Sequence, residues 1–190
     1  AEAIATQASE QIAAQSAATI AQNQPQQAAP EVDPFIINAE KQEQVTIEND
    51  YLRLTLSSVG GQIVDATLKQ HTKYAPKEER TELVKLFDPQ SAAFDMSFYI
   101  KDGLKNVKVE TLAHNFTLLP VVKEQDKQIA TFRLPFRGGE SIDFIYTLYN
   151  EKREERDYLV EFDVKLNNIA PMMANQTSIG VAWSNRSYQN

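Results

Sequence analysis

Apolar and polar side chains alternate along residues 45–69, VTIENDYLRLTLSSVGGQIVDATLK. A period of two fits a strand that buries one face, whereas a helix repeats every 3.6 residues. The residues expected on the buried face are Leu52, Leu54, Leu56, Val64, Ala66 and Leu68. Gly60 and Gly61 tolerate positive φ, so they suit a tight turn or bulge between two strands. The stretch therefore predicts a β-meander.

Later segments repeat this alternation. In DYLVEFDVKLN, residues 157–167, every second side chain from Tyr158 to Leu166 is apolar or aromatic. Further strands are predicted at residues 94–100, 116–122, 128–134 and 142–149. Pro120 and Pro135 are expected at bulges or strand ends, since proline cannot donate to a ladder. Many short strands separated by turn signals predict an all-β protein, folded as an antiparallel sandwich or barrel.

The N-terminal segment has a different composition. Residues 1–30 are mostly Ala, Gln, Ser and Thr, with isoleucines too sparse for an apolar stripe. Such a segment buries too little surface to offset its ordering entropy, which favours a polar linker. A helix ended by Pro25 or Pro30 is the alternative, because Ala and Gln have good helix propensity. We divide the chain into a linker or stalk, residues 1–44, and a β-domain, residues 45–190.

Charge and cysteine content narrow the classes of function. The 190 residues carry a net charge of −7 and no cysteine. An acidic chain disfavours a nucleic-acid partner, and the lack of cysteine excludes disulfides and thiolate metal ligands. No apolar run approaches the roughly 20 residues that span a bilayer.

The sequence shows no recognisable catalytic motif. His71 and His114 lack the spacing of a metal-binding pair, and GxSxG, GxGxxG and Walker patterns are absent. We therefore predict no catalytic, cofactor-binding or metal-binding residue, and no enzymatic activity. Both histidines are interpreted as ordinary surface or loop residues.

Two surface features are candidate contact sites. The charged run EKREER, residues 151–156, is typical of a solvated hairpin loop, and as a docking tip it would use Arg153 and Arg156 as anchors. Trp183, with Tyr188 nearby, would stack on a sugar if exposed. A lone tryptophan in the strand-like GVAWS is more typical of a core residue, which is our interpretation.

Two stretches together resemble the large periplasmic domain of the YidC family of membrane protein insertases. The first has an extended strand, a turn, an alternating strand, a Gly-Gly turn and a strand ending in leucine. Its matching residues are Val45, Ile47, Leu52, Leu54, Leu56, Gly60, Gly61, Ile63 and Leu68. The second, FIYTLYNEKREERDYLVEFDVKLNN, matches at Tyr158, Phe162, Val164 and Asn167.

The resemblance implies a large twisted antiparallel β-sandwich of the galactose-mutarotase type, a supersandwich. It also implies a non-catalytic domain at the periplasmic face of the bacterial inner membrane. Such a domain would assist membrane protein insertion and folding by contacting Sec translocon subunits and nascent membrane proteins. The membrane-embedded insertion groove of the family has no counterpart in this chain.

Besides the insertase resemblance, the sequence leaves two further expectations, one about the completeness of the sandwich and one about an alternative function. The family domain continues beyond the strand that begins with Asp-Tyr, so a sandwich ending at Asn190 would be short of strands and would expose strand edges. The alternative function is an extracytoplasmic carbohydrate-binding or mutarotase-like sandwich. A mutarotase needs a histidine facing a carboxylate, and no motif places His71 or His114 in that role.

Overall fold

A computed structural model of the chain describes residues 35–77, 81–150, 158–173 and 178–187. These residues form an all-β structure, which confirms the predicted fold class. In chain order the strands are β1 (Gln44–Glu48), β2 (Leu52–Ser57), β3 (Gln62–Thr72), β4 (Leu83–Lys85), β5 (Ala93–Asp102), β6 (Lys105–Glu110), β7 (Thr117–Leu118), β8 (Val122–Lys123), β9 (Lys127–Pro135), β10 (Ser141–Tyr149), β11 (Val160–Asn167) and β12 (Gly180–Ser184). Short 3-10 turns occur at Pro89–Ser91 and Thr111–Ala113.

The strands pair antiparallel in three sheets. One sheet has the order β1-β2-β3-β4, a second has β11-β10-β9-β7 with β8 also on β9, and a third has β12-β5-β6. Most paired strands are neighbours along the chain, as expected for strands joined by hairpins and short loops. The exceptions are β7, which pairs with β9 across the intervening β8, and β12, which pairs with the distant β5.

A double-glycine turn joins β2 to β3. Gly60 and Gly61 have φ of 72° and 59°, in the left-handed region that glycine tolerates best. A Cβ on Gly61 would lie 3.0 Å from Phe144 Cδ2 and 3.2 Å from Phe116 Cδ1. Both the backbone conformation and the packing therefore require glycine at position 61.

A β-bulge follows this turn and changes the predicted face of Val64. Thr55 pairs with Asp65, but Leu56 pairs with Ile63, so Val64 has no residue opposite it. The extra residue reverses the alternation, and Ile63 packs against the core on the side of Leu56. The prediction that Val64 lies on the core face is therefore wrong, because a strict period of two does not allow for an inserted residue.

The strand predicted at residues 116–122 is divided in the structure. Phe116 precedes β7 and is fully buried, and β7 ends at Leu118 before Pro120. The chain then returns to the same strand, β9, through β8. The interruption at Pro120 agrees with the expectation that proline ends a ladder.

One hydrophobic cluster collects the inward side chains of all three sheets. Its largest fully buried members include Phe116, Phe132, Phe144, Leu134 and Ile142. The lead-in to β1 also contributes, since Ile36 is 2% exposed and bridges to Phe136. The domain boundary at residue 45 stays a prediction, and residues 1–34 lie outside the described ranges.

Candidate binding groove

An apolar groove of about 620 Å³ opens where side chains of the three sheets meet. Its lining includes Leu54 of β2, Ala66 of β3, Phe94 of β5, Tyr146 of β10, Phe162 of β11 and Trp183 of β12. Grooves of this size, lined mainly by apolar and aromatic side chains, are typical of ligand and peptide sites.

Phe162 lies at the centre of an aromatic cluster in the groove. Its ring stacks on Tyr146 with centroids 4.8 Å apart, and it meets Phe94 and Phe144 edge-on at 5.2 and 5.4 Å. Stacked and edge-on pairs contribute about 0.5–1.5 kcal/mol each beyond the area they bury. Phe162 nevertheless remains 37% exposed. The cluster therefore forms a rigid apolar wall that still faces solvent.

The hydroxyl of Tyr146 fixes this wall to the glycine turn. It donates a 2.7 Å hydrogen bond to the carbonyl oxygen of Gly61. Burial raises the pKa of Tyr146, so the hydroxyl keeps the proton that it donates. The Gly-Gly turn thus positions a groove residue that lies 85 positions away in the sequence.

Two strands beside the groove each have an unpaired edge within the described part of the chain. There β11 pairs with β10 and β12 pairs with β5, each on one side only. The side chains along them are unusually exposed for apolar residues: Phe162, Val164, Leu166, Val181 and Trp183 range from 37% to 75%. An exposed apolar edge of this kind is a template for another extended segment.

The interpretation of Trp183 as a core residue is wrong. Its side chain is 75% exposed and lines the groove from β12, opposite Phe94 in the register. The strand pattern of GVAWS does predict β12, but β12 is an edge strand with every residue exposed. Tyr188, Arg153 and Arg156 lie outside the described residues, so their predicted roles as contact residues stay predictions.

Neither histidine lines the groove, although His71 contacts Tyr158, which does. His114 is a loop residue, as one of the two interpretations had it, but it is buried at 9% exposure, and its Nδ1 lies 3.2 Å from Asn38 Oδ1. His71 is exposed at the end of β3, where its Nε2 lies 3.2 Å from the hydroxyl of Tyr158. Among the described residues, no group of three or more potential ligands is arranged to hold a metal ion.

An ion pair with a buried carboxylate and a half-exposed guanidinium joins β9 and β10 in the second sheet. Arg133 donates two 2.8 Å hydrogen bonds to the carboxylate of Asp143, which is 3% exposed, and Asn167 donates a third at 3.1 Å. Burial raises the pKa of Asp143, but the bonds from Arg133 and Asn167 outweigh it and hold that pKa below its usual value. The three side chains come from adjacent strands, so the contact fixes the register of β11 on β10.

Sequence analysis did not identify the groove. The apolar alternation of residues 158–166 predicted a strand, but not its position beside a groove. The signal that distinguishes an exposed apolar strand from a buried one is which element covers it, and that is a property of the assembled sheets.

The match to a known protein family covers the range of residues that contains strands β1 to β12. Residues 44–186 match the model of the YidC periplasmic domain. The chain is 29% identical to the membrane protein insertase YidC of Bacteroides fragilis, over 98% of this chain and 28% of that protein. It is 29% identical to the insertase YidC of Chlorobium limicola, over 93% of this chain and 31% of that protein. No solved structure matches significantly.

The chain thus spans less than a third of the length of these two relatives. In the part of the chain that the structure describes, no helix is long and apolar enough to cross a membrane.

Proposed function

The chain belongs to the YidC periplasmic domain family, and from this membership we propose that it is a non-catalytic accessory domain of a membrane protein insertase. It would act at the periplasmic face of the inner membrane. Its contribution is to assist insertion and folding of membrane proteins by binding them, with no chemical step. The support is the family match together with relatives named as membrane protein insertases.

The apolar groove is the surface that we assign to these contacts. An emerging membrane protein presents extended, apolar segments whose backbone groups are not yet paired. Such a segment can add a strand to the open edge of β11 or β12 and place alternate side chains in the groove. Backbone hydrogen bonds require no particular sequence, which suits a domain that meets many clients. The observation that carries this proposal is an apolar groove bordered by two unpaired strand edges.

Subunits of the Sec translocon are the second class of partner that we propose. The charged run at residues 151–156 is assigned to them, with Arg153 and Arg156 as anchors. Arginine forms bidentate hydrogen bonds with carboxylates and is over-represented at interface hot spots. Both properties suit contact with a folded protein partner. The two partner classes would then contact different residues of one domain.

Photocross-linking in the parent insertase, embedded in inner-membrane vesicles, tests the groove. A photoreactive amino acid replaces Trp183 or Val181, and a newly synthesised membrane protein is the client. Both positions should cross-link to the client, whereas Tyr74, which is 86% exposed and outside the groove lining, should not. Equal cross-linking at all three positions, or none at Trp183 and Val181, would reject the groove and the edge of β12 as the client site.

The same approach tests the second partner class. A photoreactive group at Arg153 should cross-link to a translocon subunit independently of client synthesis. Cross-links to the client alone would overturn that assignment.

A carbohydrate ligand is the second candidate function, and the exposure of Trp183 favours it. An exposed indole in the same groove as Tyr158 is a platform on which a sugar ring can stack. The groove lining is mainly apolar, however, and offers few of the polar groups that a sugar's hydroxyls need. Screening the chain and its Trp183→Ala variant against a glycan panel decides the matter. Sugar binding that this substitution abolishes would favour the carbohydrate function over peptide binding.

A further inference from the structure

A segment without regular secondary structure precedes β1, and we call its residues 35–43 the strap. Its first part is anchored in the core, since Ile36 is 2% exposed and bridges to Phe136. Residues 37–43 are exposed or half-buried. A stretch with so few buried apolar contacts opens at a lower free energy than the core does. This part of the strap can therefore be docked or released while the sheets stay folded.

Asn115 is the residue that holds the middle of the strap. Its side-chain amide donates to the carbonyl oxygens of Ala39 and Lys41, at 2.7 and 2.8 Å. Its backbone N–H donates to Asn38 Oδ1, and its carbonyl oxygen accepts from the N–H of Ala39, both at 2.8 Å. Docking of the strap thus depends on four hydrogen bonds to one residue.

Ser58 connects the strap to the Gly-Gly turn. It is fully buried, and its Oγ accepts from the N–H of Glu43 at 2.8 Å and donates to Asn115 Oδ1 at 2.7 Å. Its carbonyl oxygen accepts from the N–H of Gly61 at 3.3 Å. The strap, Asn115 and the turn are therefore joined through a single buried residue.

The far side of the turn is bonded to two residues of the groove. The carbonyl oxygen of Gly61 accepts from the hydroxyl of Tyr146, and Oε1 of Gln62 accepts from the N–H of Phe94 at 2.8 Å. Both rings pack against Phe162. Gln62, Phe94, Tyr146 and Phe162 all line the groove, whereas the strap does not. Hydrogen bonds and ring contacts thus run without a break from the strap to the aromatic wall.

We propose that Asn115 is a positioning residue for the groove: it holds the strap against Ser58, and through the Gly-Gly turn this sets the aromatic wall in the geometry that binds an apolar peptide. The inference rests on the proposed function of the groove and adds control of its affinity from outside its lining. A docked strap orders the wall before the peptide arrives, so the peptide does not have to supply that ordering. Release of the strap lowers the apparent affinity by the fraction of molecules in which the wall is not ordered.

Peptide binding by the 190-residue chain tests this coupling. The probe is a fluorescently labelled Val- and Leu-rich peptide, and its Kd is measured by anisotropy. Asn115→Asp keeps the size of the side chain but has no N–H for the carbonyl oxygens of Ala39 and Lys41, so it should raise Kd about tenfold. Asn38→Ala changes an exposed strap residue and removes one acceptor, so it should raise Kd about threefold.

Asn150→Ala is the matched control. The Asn150 side chain also makes hydrogen bonds, accepting from Gln128 and donating to the carbonyl oxygen of Glu124. Asn150 belongs to neither the strap nor the groove lining, so this variant should bind the peptide as the parent chain does.

Amide exchange at Phe94 gives a second readout, which needs no peptide. Its N–H is bonded to the side chain of Gln62, so its protection reports how the turn is held. In Asn115→Asp this amide should exchange about tenfold faster, while the amides of β9 and β10 keep their rates. If Asn115 served stability alone, all these rates would rise together, since global unfolding exposes every amide.

Three results would overturn the inference. One is an unchanged Kd in both Asn115→Asp and Asn38→Ala, and another is an equal rise of Kd in Asn150→Ala. The third is a loss of protection at Phe94 that occurs only together with β9 and β10. Failure of the parent chain to bind the peptide would instead reject the groove as a peptide site, and exchange at Phe94 would still decide whether the strap positions the wall.

Discussion

Gly61 combines two constraints that a substitution cannot satisfy together. An alanine there would have to adopt a φ of 59° and place its Cβ 3.0 Å from Phe144. We expect Gly61→Ala to lower the free energy of unfolding by roughly 2–4 kcal/mol, the sum of backbone strain and overpacking. Urea unfolding of the chain measures it.

Gly103→Ala is the matched control for Gly61→Ala. Its φ is 58°, but a Cβ there meets nothing within 4 Å, so only the backbone term of about 1 kcal/mol applies. Equal losses in the two variants would show that packing against Phe144 contributes nothing.

Ionisation of Asp143 makes the free energy of unfolding depend on pH in the acidic range. Bonds from Arg133 and Asn167 lower the pKa of Asp143 in the folded chain below the ordinary 3.8. The ionised carboxylate therefore makes its full contribution to the free energy of unfolding at pH values above 3.8. Stability should fall as pH decreases through the lowered pKa. Asp143→Asn should cost roughly 1–3 kcal/mol at pH 7 and flatten this acidic dependence. Unfolding by urea across the acidic range measures both effects.

Glu48→Gln is the comparison for Asp143→Asn. The pKa of Glu48 is also lowered, mainly by its hydrogen bond to Arg53, but its side chain is 43% exposed. Solvent screens such a pair, so the variant should change little. An acidic dependence that Glu48→Gln removes and Asp143→Asn retains would contradict the role given to Asp143.

At the scale of the strand, β12 has exposed apolar residues and one edge that no described strand pairs with. Val181 is 66% exposed there. Open apolar edges pair with one another, so the chain should self-associate at high concentration. Val181→Lys should suppress this self-association without lowering the melting temperature, as measured by sedimentation velocity and thermal unfolding.

Val122→Lys provides the control for the edge of β12. Val122 is 48% exposed on β8, away from the groove lining, so the same charge there should leave self-association unchanged. Suppression by both variants would attribute the effect to net charge and not to the edge.

At the scale of the whole molecule, the groove depends on three sheets meeting, and Trp183 reports on its occupancy. It is the only tryptophan of the chain and lies 75% exposed at the groove. A short Val- and Leu-rich peptide should shift its emission to shorter wavelength, since the indole leaves water. Phe162→Ser should reduce this shift by removing the aromatic wall. An unchanged shift in that variant would place the peptide elsewhere.

Much of the local structure follows from short-range patterns. The strands β5, β9, β10 and β11 lie close to their predicted ranges. Pro120 interrupts a strand as expected, because the missing donor is a local property. The face of Val64 was predicted wrongly, because a bulge arises from the pairing of two strands. The apolar period within a single strand does not reveal it.

Fold class, the major strands and the family resemblance were thus readable from the amino-acid sequence, because each depends on neighbouring residues or on their order. The exposure of Trp183 and Phe162 and the burial of His114 could not be predicted from the sequence. Identical apolar alternation describes a core strand and an open edge, and the difference lies in whether another element covers it. The tertiary structure decided which strands are covered: β11 and β12 both border the open groove, so their apolar side chains stay exposed. The burial of a side chain depends on the elements packed around it and not on its own strand alone.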